Sequence, residues 1–256
     1  MSSTVFNAYQ KFYSALSNLK RFCSDNDFYD NVSALDSFFS EFRSVTFILQ
    51  SSIGNNIQKK HIYEEKRDMY LKECKWFNVE RVNSVHKSPF SLVKQIRIRE
   101  FSPNGGVILC DNTYTIENDE RIETLIHDIT SSFKNLDYSE VFFSASFSFY
   151  EKNSPDLIYD KLLQGITVMN DFLNSITEAY DEPCDMCDDI RKKIQRVIAE
   201  ISFVDGRLNS DYVFYPHRNE FERGGIIQML ASKKLEGNVD TFLCFVGSLY
   251  EFSRCR

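Results

Sequence analysis

The sequence contains no apolar run long enough to cross a bilayer as a helix. Segments such as Val141–Phe143 and Phe242–Val246 break off within a few residues, far short of the ~20 that a spanning helix needs. It also lacks a glycine-rich phosphate loop, a nucleophile elbow, an HExxH pair and a dinucleotide-binding fingerprint, so the nucleotide-cradling, serine-hydrolase and metalloprotease readings have no motif to rest on. There is no internal repeat and no low-complexity segment. Met1-Ser2-Ser3-Thr4 leads directly into an amphipathic segment containing Lys11, without a basic head, apolar middle and small-residue cleavage site. A cytoplasmic address without membrane association is the expectation.

Paired cysteines are missing too. The seven fall at positions 23, 74, 110, 184, 187, 244 and 255, an odd number, several of them on apolar helical stripes, and they read as reduced core thiols. Cys184 and Cys187 have metal-ligand spacing, but no second CxxC and no nearby histidine pair completes a zinc site. No metal and no cofactor is expected.

What is present is enough for a sizeable core: 256 residues, 43% hydrophobic and 14% aromatic, in one large domain or two modest ones. The formal net charge of -7 argues against bulk electrostatic binding of nucleic acid. The charge is uneven, however: residues 1–90 hold 12 Lys+Arg against 10 Asp+Glu, and the remainder 18 against 27. Any contact with RNA is therefore expected to be local and nearer the N-terminal part.

Val5, Tyr9, Phe12, Leu16, Leu19 and Cys23 recur at helical spacing and predict a first long helix. After the polar Ser24–Asp27, the run Leu35, Phe38, Phe42, Val45 and Leu49 predicts a second. Gly54 breaks the pattern, and a third helix is predicted from about Lys59 to His86, with Tyr63, Tyr70, Cys74 and Phe77 on its buried face. Continuing that stripe by four residues reaches Arg81, a guanidinium where periodicity asks for core. Ser88-Pro89 then stops the helix.

Beyond this point the period changes to two. Ile96 and Ile98 alternate with Arg97 and Arg99, and Ser102–Gly106 turns the chain into Val107–Cys110, which predicts a hairpin. A separate strand is expected near Thr113–Ile116, a short helix at about 119–133, and another strand at 141–150, where Phe143, Ala145, Phe147 and Phe149 oppose serines. Ser154-Pro155-Asp156 resembles a helix start. The long helix it opens runs through Ile158, Leu162, Gly165, Met169, Phe172, Ile176 and Ala179. A further helix passes through Ile190, Ile194, Val197, Ile201 and Val204, followed by a short strand at Tyr212–Tyr215 and two short helices around 226–234 and 239–252.

Arg81-Val82-Asn83-Ser84-Val85-His86 fits the pattern of an arginine, four to six intervening residues and a histidine, near the end of an amphipathic helix and just before a break. This resembles the HEPN signature, as does its setting: two amphipathic helices before it, Trp76 and Phe77 just upstream, a β-rich interruption and a later long helix. Arg121 and His127 also satisfy the spacing, on the short helix, but avoid its apolar stripe. The resemblance covers residues 1–90, and 154–182 by architecture alone.

It implies a mainly α fold, a HEPN-like helical bundle over 1–182 with a small antiparallel β insertion at about 91–150. Extra C-terminal helices over 183–256 would pack on it. It further implies metal-independent cleavage of RNA by attack of the ribose 2'-hydroxyl, as in members of toxin–antitoxin and antiphage systems. Arg81 would stabilise the scissile phosphate, and His86 would move protons. Asn83 and the strand pair Arg97 and Arg99 are candidate substrate contacts. Residues five apart on a continuous helix point about 140° away from each other, so one phosphate can meet both only across a helix end or a second subunit. A homodimer is expected, with RNA as substrate and an antitoxin or other protein as a further partner.

The family commonly has a polar residue directly after the arginine. Here Val82 stands there, with Asn83 one place later, and this favours the alternative: a noncatalytic HEPN-like module that binds a protein or a nucleotide.

Overall fold

The computed structural model describes residues 3–22, 28–101, 108–116, 141–182, 185–202, 209–215 and 220–223. The protein is mainly helical, with a small sheet. Among the described residues, six α-helices run in the order α1 (Phe6–Leu19), α2 (Phe28–Ile53), α3 (Ile57–Tyr70), α4 (Lys75–His86), α5 (Ile158–Tyr180) and α6 (Asp185–Ser202). The strands are β1 (Leu92–Phe101), β2 (Ile108–Ile116), β3 (Val141–Glu151), β4 (Asn209–Tyr215) and β5 (Glu220–Arg223). None of the described helices is long and apolar enough to cross a membrane.

The chain divides into two compact units: Met1–Val93 with Phe149–Val204, and Lys94–Ser148 with Asp205–Arg256. In the helical unit α1 packs on α2 and α6, α2 also on α4, and α3 on α5. The stripes read from the sequence are its core. Tyr9, Phe12, Leu16, Leu35, Phe38, Phe42, Val45, Leu49, Ile158, Leu162, Met169, Phe172 and Ile176 are all buried. Phe77 of α4 stacks on Phe42 of α2 at 4.6 Å between ring centroids, and meets Trp76, Phe38 and Phe39 edge-on or tilted. Aromatic burial of this extent dominates the energetics of a small core.

In the sheet unit the strand order is β2-β1-β3-β4-β5. Pairing is antiparallel for β1 with β2, β3 with β4 and β4 with β5.

Several expectations are corrected. The third helix is not continuous: Leu71–Cys74 form a 3-10 turn between α3 and α4. The strand expected at Thr113–Ile116 is the second half of β2, which pairs without interruption from Cys110 to Ile116 against β1. The fifth helix starts not at Ser154 but at Ile158, because an isolated bridge between Tyr150 and Leu157 holds Leu157 in extended conformation as its N-cap. The hydroxyl of Ser154 instead accepts from the amide of Asp156 at 3.3 Å. Beyond residue 182, α6 packs on α1 inside the helical unit, and β4 and β5 belong to the sheet. The helices expected at 119–133, 226–234 and 239–252 lie outside the described residues.

Candidate functional site

The geometry around Arg81 follows from the 3-10 turn. Four residues at about 120° each, instead of about 100°, advance α4 by roughly 80° relative to a continuous helix. Phe77 stays in the core, but the next core position falls on Glu80 rather than Arg81. Glu80 is buried, and Arg81 is displaced to the flank, half-buried. The expectation that Arg81 continues the oily stripe is therefore corrected.

On that flank the Arg81 guanidinium carbon lies 6.0 Å from the ring centre of Phe47, and that of Arg43 lies 4.3 Å from the same ring. Phe47 itself is 47% exposed. Arg43 donates to the hydroxyl of the buried Thr46 at 2.6 Å. Burial lowers the pKa of Arg43, and the nearby charge of Arg81 lowers it further against the opposing influence of Tyr63. Two guanidinia flanking one ring concentrate positive charge on this side of the bundle.

His86 is exposed, in the last turn of α4. The helix runs unbroken through the motif and ends just after it, where the amides of Lys87 and Ser88 both donate to the carbonyl of Asn83, at 2.8 and 3.0 Å. No helix end separates Arg81 from His86, so a single protomer presents them on faces about 140° apart. Instead His86 shares a solvent-facing stripe with Lys75, Val79 and Val82 at spacings of four, three and four. Val79 and Val82 are 54% and 43% exposed.

Asn83 is half-buried, and its side-chain amide points at the Glu80 carboxylate, 3.5 Å away. Burial holds the Glu80 carboxyl above its usual range, and Glu151 pushes it the same way. A buried acid one residue before the motif arginine was not legible in the sequence, since no periodicity announces the 3-10 turn that brings it inward. Arg43 and Phe47 were equally hidden, because they join Arg81 only through packing of α2 on α4.

Arg97 and Arg99 belong to β1 in the sheet unit. Arg97 makes a two-pronged ion pair with Asp111 across the hairpin, Nε to Oδ1 at 2.7 Å and Nη2 to Oδ2 at 2.6 Å. This bond holds the Asp111 carboxyl below the usual range. The guanidinium of Arg97 is thus engaged with a carboxylate, while Arg99 is half-buried. Arg121, His127 and Cys184 lie outside the described residues, and Cys187 is buried.

No protein-family model, no curated protein and no solved structure matches this chain.

Proposed function

We propose that this protein is a HEPN-type endoribonuclease that works as a homodimer and cleaves RNA without a metal, in a toxin or antiphage setting. The observation that carries the reading is the stripe on α4, where His86 stands in line with two exposed valines just before the helix ends. Exposed valines on a helix that also packs against the core invite a second surface, and a second copy docked there supplies the half of the site that one protomer lacks. Val82, polar in the family's usual pattern, then has a role as part of the seam.

At the rim of such a seam the long side chain of Arg81, reaching in from the flank of one α4, holds the scissile phosphate and stabilises its developing charge. The imidazole of His86 from the other takes or returns the proton. The ribose 2'-hydroxyl attacks the adjacent phosphorus, the 5'-oxygen leaves, and a 2',3'-cyclic phosphate remains. Asn83 acts by its bond to Glu80, fixing the last turn rather than touching RNA.

The test is purified full-length protein with mixed RNA in excess chelator. Wild type is expected to produce fragments ending in a cyclic phosphate, while Arg81→Ala and His86→Ala each lose the activity with an unchanged circular-dichroism spectrum. Cleavage surviving in both variants, or none by wild type at any dose, overturns the reading.

A further inference from the structure

A recess opens where α3 meets α4, at the 3-10 turn, with a volume of about 210 Å³. Its walls are apolar and aromatic, from Phe42, Tyr63 and Phe77, and its polar groups include Arg43, Lys72 and Asn78. Arg67 and Asp68 also reach it, but they are bound to each other, with the Arg67 Nε and Nη2 donating to Asp68 Oδ1 at 2.9 and 2.7 Å. Arg43 and Lys72 form no ion pair among the described residues. The recess thus holds two uncompensated cations, one of them half-buried and pressed toward a second guanidinium by packing.

A half-buried cation without a carboxylate is costly, and Arg43 has the Thr46 hydroxyl and the Phe47 ring beside it but no anion among the described residues. We propose that this recess binds a phosphate monoester carrying a single ring, with Arg43 and Lys72 on the phosphate and the ring against Phe42, Tyr63 and Phe77. The planar fork of Arg43 matches phosphate oxygens, and two unpaired positive charges match a dianion better than a carboxylate. Size sets the rest of the ligand: the recess is smaller than the range of roughly 300–1,000 Å³ that encloses drug-sized molecules, leaving room for one ring beside the phosphate. The site does not depend on the nuclease reading, because neither Arg81 nor His86 lines it.

The experiment is calorimetric titration of the full chain, at low salt, with phenyl phosphate, inorganic phosphate and phenol. Phenyl phosphate is expected to bind once per chain and about tenfold more tightly than inorganic phosphate, with phenol not binding, since charge positions the ligand and the ring adds contact. Arg43→Gln should weaken binding by about tenfold or more and the exposed Lys72→Gln by several-fold. Asp68→Asn should tighten it by removing the carboxylate that repels the ligand and occupies Arg67. Lys72 and Asp68 are exposed, so both variants read out binding without threatening the fold. No saturable binding by wild type, or equal binding by Arg43→Gln and Lys72→Gln, overturns the site. Equal affinity for phosphate and phenyl phosphate overturns the ring, and binding of an RNA oligonucleotide but not of phenyl phosphate overturns the small-molecule assignment.

Discussion

Single atoms decide two features of this protein. Gly165 sits on the apolar stripe of α5 with no room for a side chain, since a Cβ there would overlap the ring of Phe77. That ring cannot retreat freely, because it is stacked on Phe42. Gly165→Ala should therefore lower stability by about 1–3 kcal/mol despite alanine's better helix propensity, measured by urea denaturation, and Phe77→Leu in the same chain should recover part of the loss. An unchanged or raised midpoint for the single variant would show that the close approach is not a constraint. Glu80 decides the second. Its carboxyl is held above the ordinary glutamate range by burial and by Glu151, so the folded chain binds that proton more tightly than the unfolded chain does. Its contribution to stability is fullest below the ordinary value and declines as pH rises toward the raised one. Glu80→Gln keeps an acceptor for Asn83 and removes the charge. Its melting temperature should exceed that of wild type at pH 7, with the advantage shrinking toward pH 4; a lower melting temperature at pH 7 would mean the ionised carboxylate is stabilising.

Elements are where sequence and structure part. The apolar stripes of α1, α2 and α5 were readable because each is a regular helix at least three turns long, whose spacing needs no information from elsewhere. The 3-10 turn at Leu71–Cys74 was not: those residues differ from helix formers in nothing local, and the turn is fixed by how α3 lies on α5 while α4 lies on α2. Because that turn rotates everything after it, the motif could be found in the sequence but its facing could not, and Glu80 and Arg81 exchange places relative to expectation. The joint between α1, α3 and α5 was hidden for the same reason. Glu182, just beyond α5, accepts from the amide and hydroxyl of Thr4 at 2.8 and 3.0 Å and pairs with Lys59 of α3. Burial opposes its ionisation, but these bonds together outweigh it and hold the carboxyl below the ordinary range. Its stabilising contribution is present above the ordinary glutamate value and lost as pH falls through the lowered one. Glu182→Ala should cost about 1–3 kcal/mol at pH 7, and progressively less as pH falls into the acid range. Thermal melts across pH thus have opposite signs for the two acids, Glu182 supporting the fold at neutrality and Glu80 opposing it, and matching slopes for the two variants would refute one assignment.

For the whole molecule, the question is whether one chain suffices. A continuous α4 carries Arg81 and His86 on faces that no single phosphate can bridge, and Val79 and Val82 stand exposed on the stripe that His86 shares. In the proposed homodimer a pair of α4 helices packs over Val79 and Val82. Charge placed at that stripe should then separate assembly from folding. Val79→Glu with Val82→Glu exposes nothing that the monomer buries, so the melting temperature of the isolated chain should move little, while sedimentation at micromolar concentration should shift from two chains to one. RNA cleavage should fall together with the dimer. The decisive control is mixing: Arg81→Ala and His86→Ala chains, each inactive alone, should regain part of the activity when combined, because a mixed dimer assembles one intact site from an arginine of one chain and a histidine of the other. Recovery on mixing cannot arise from a site contained within one protomer. Two inactive variants that stay inactive together, while still forming mixed dimers, would place the arginine and histidine in the same chain's site and end the composite arrangement.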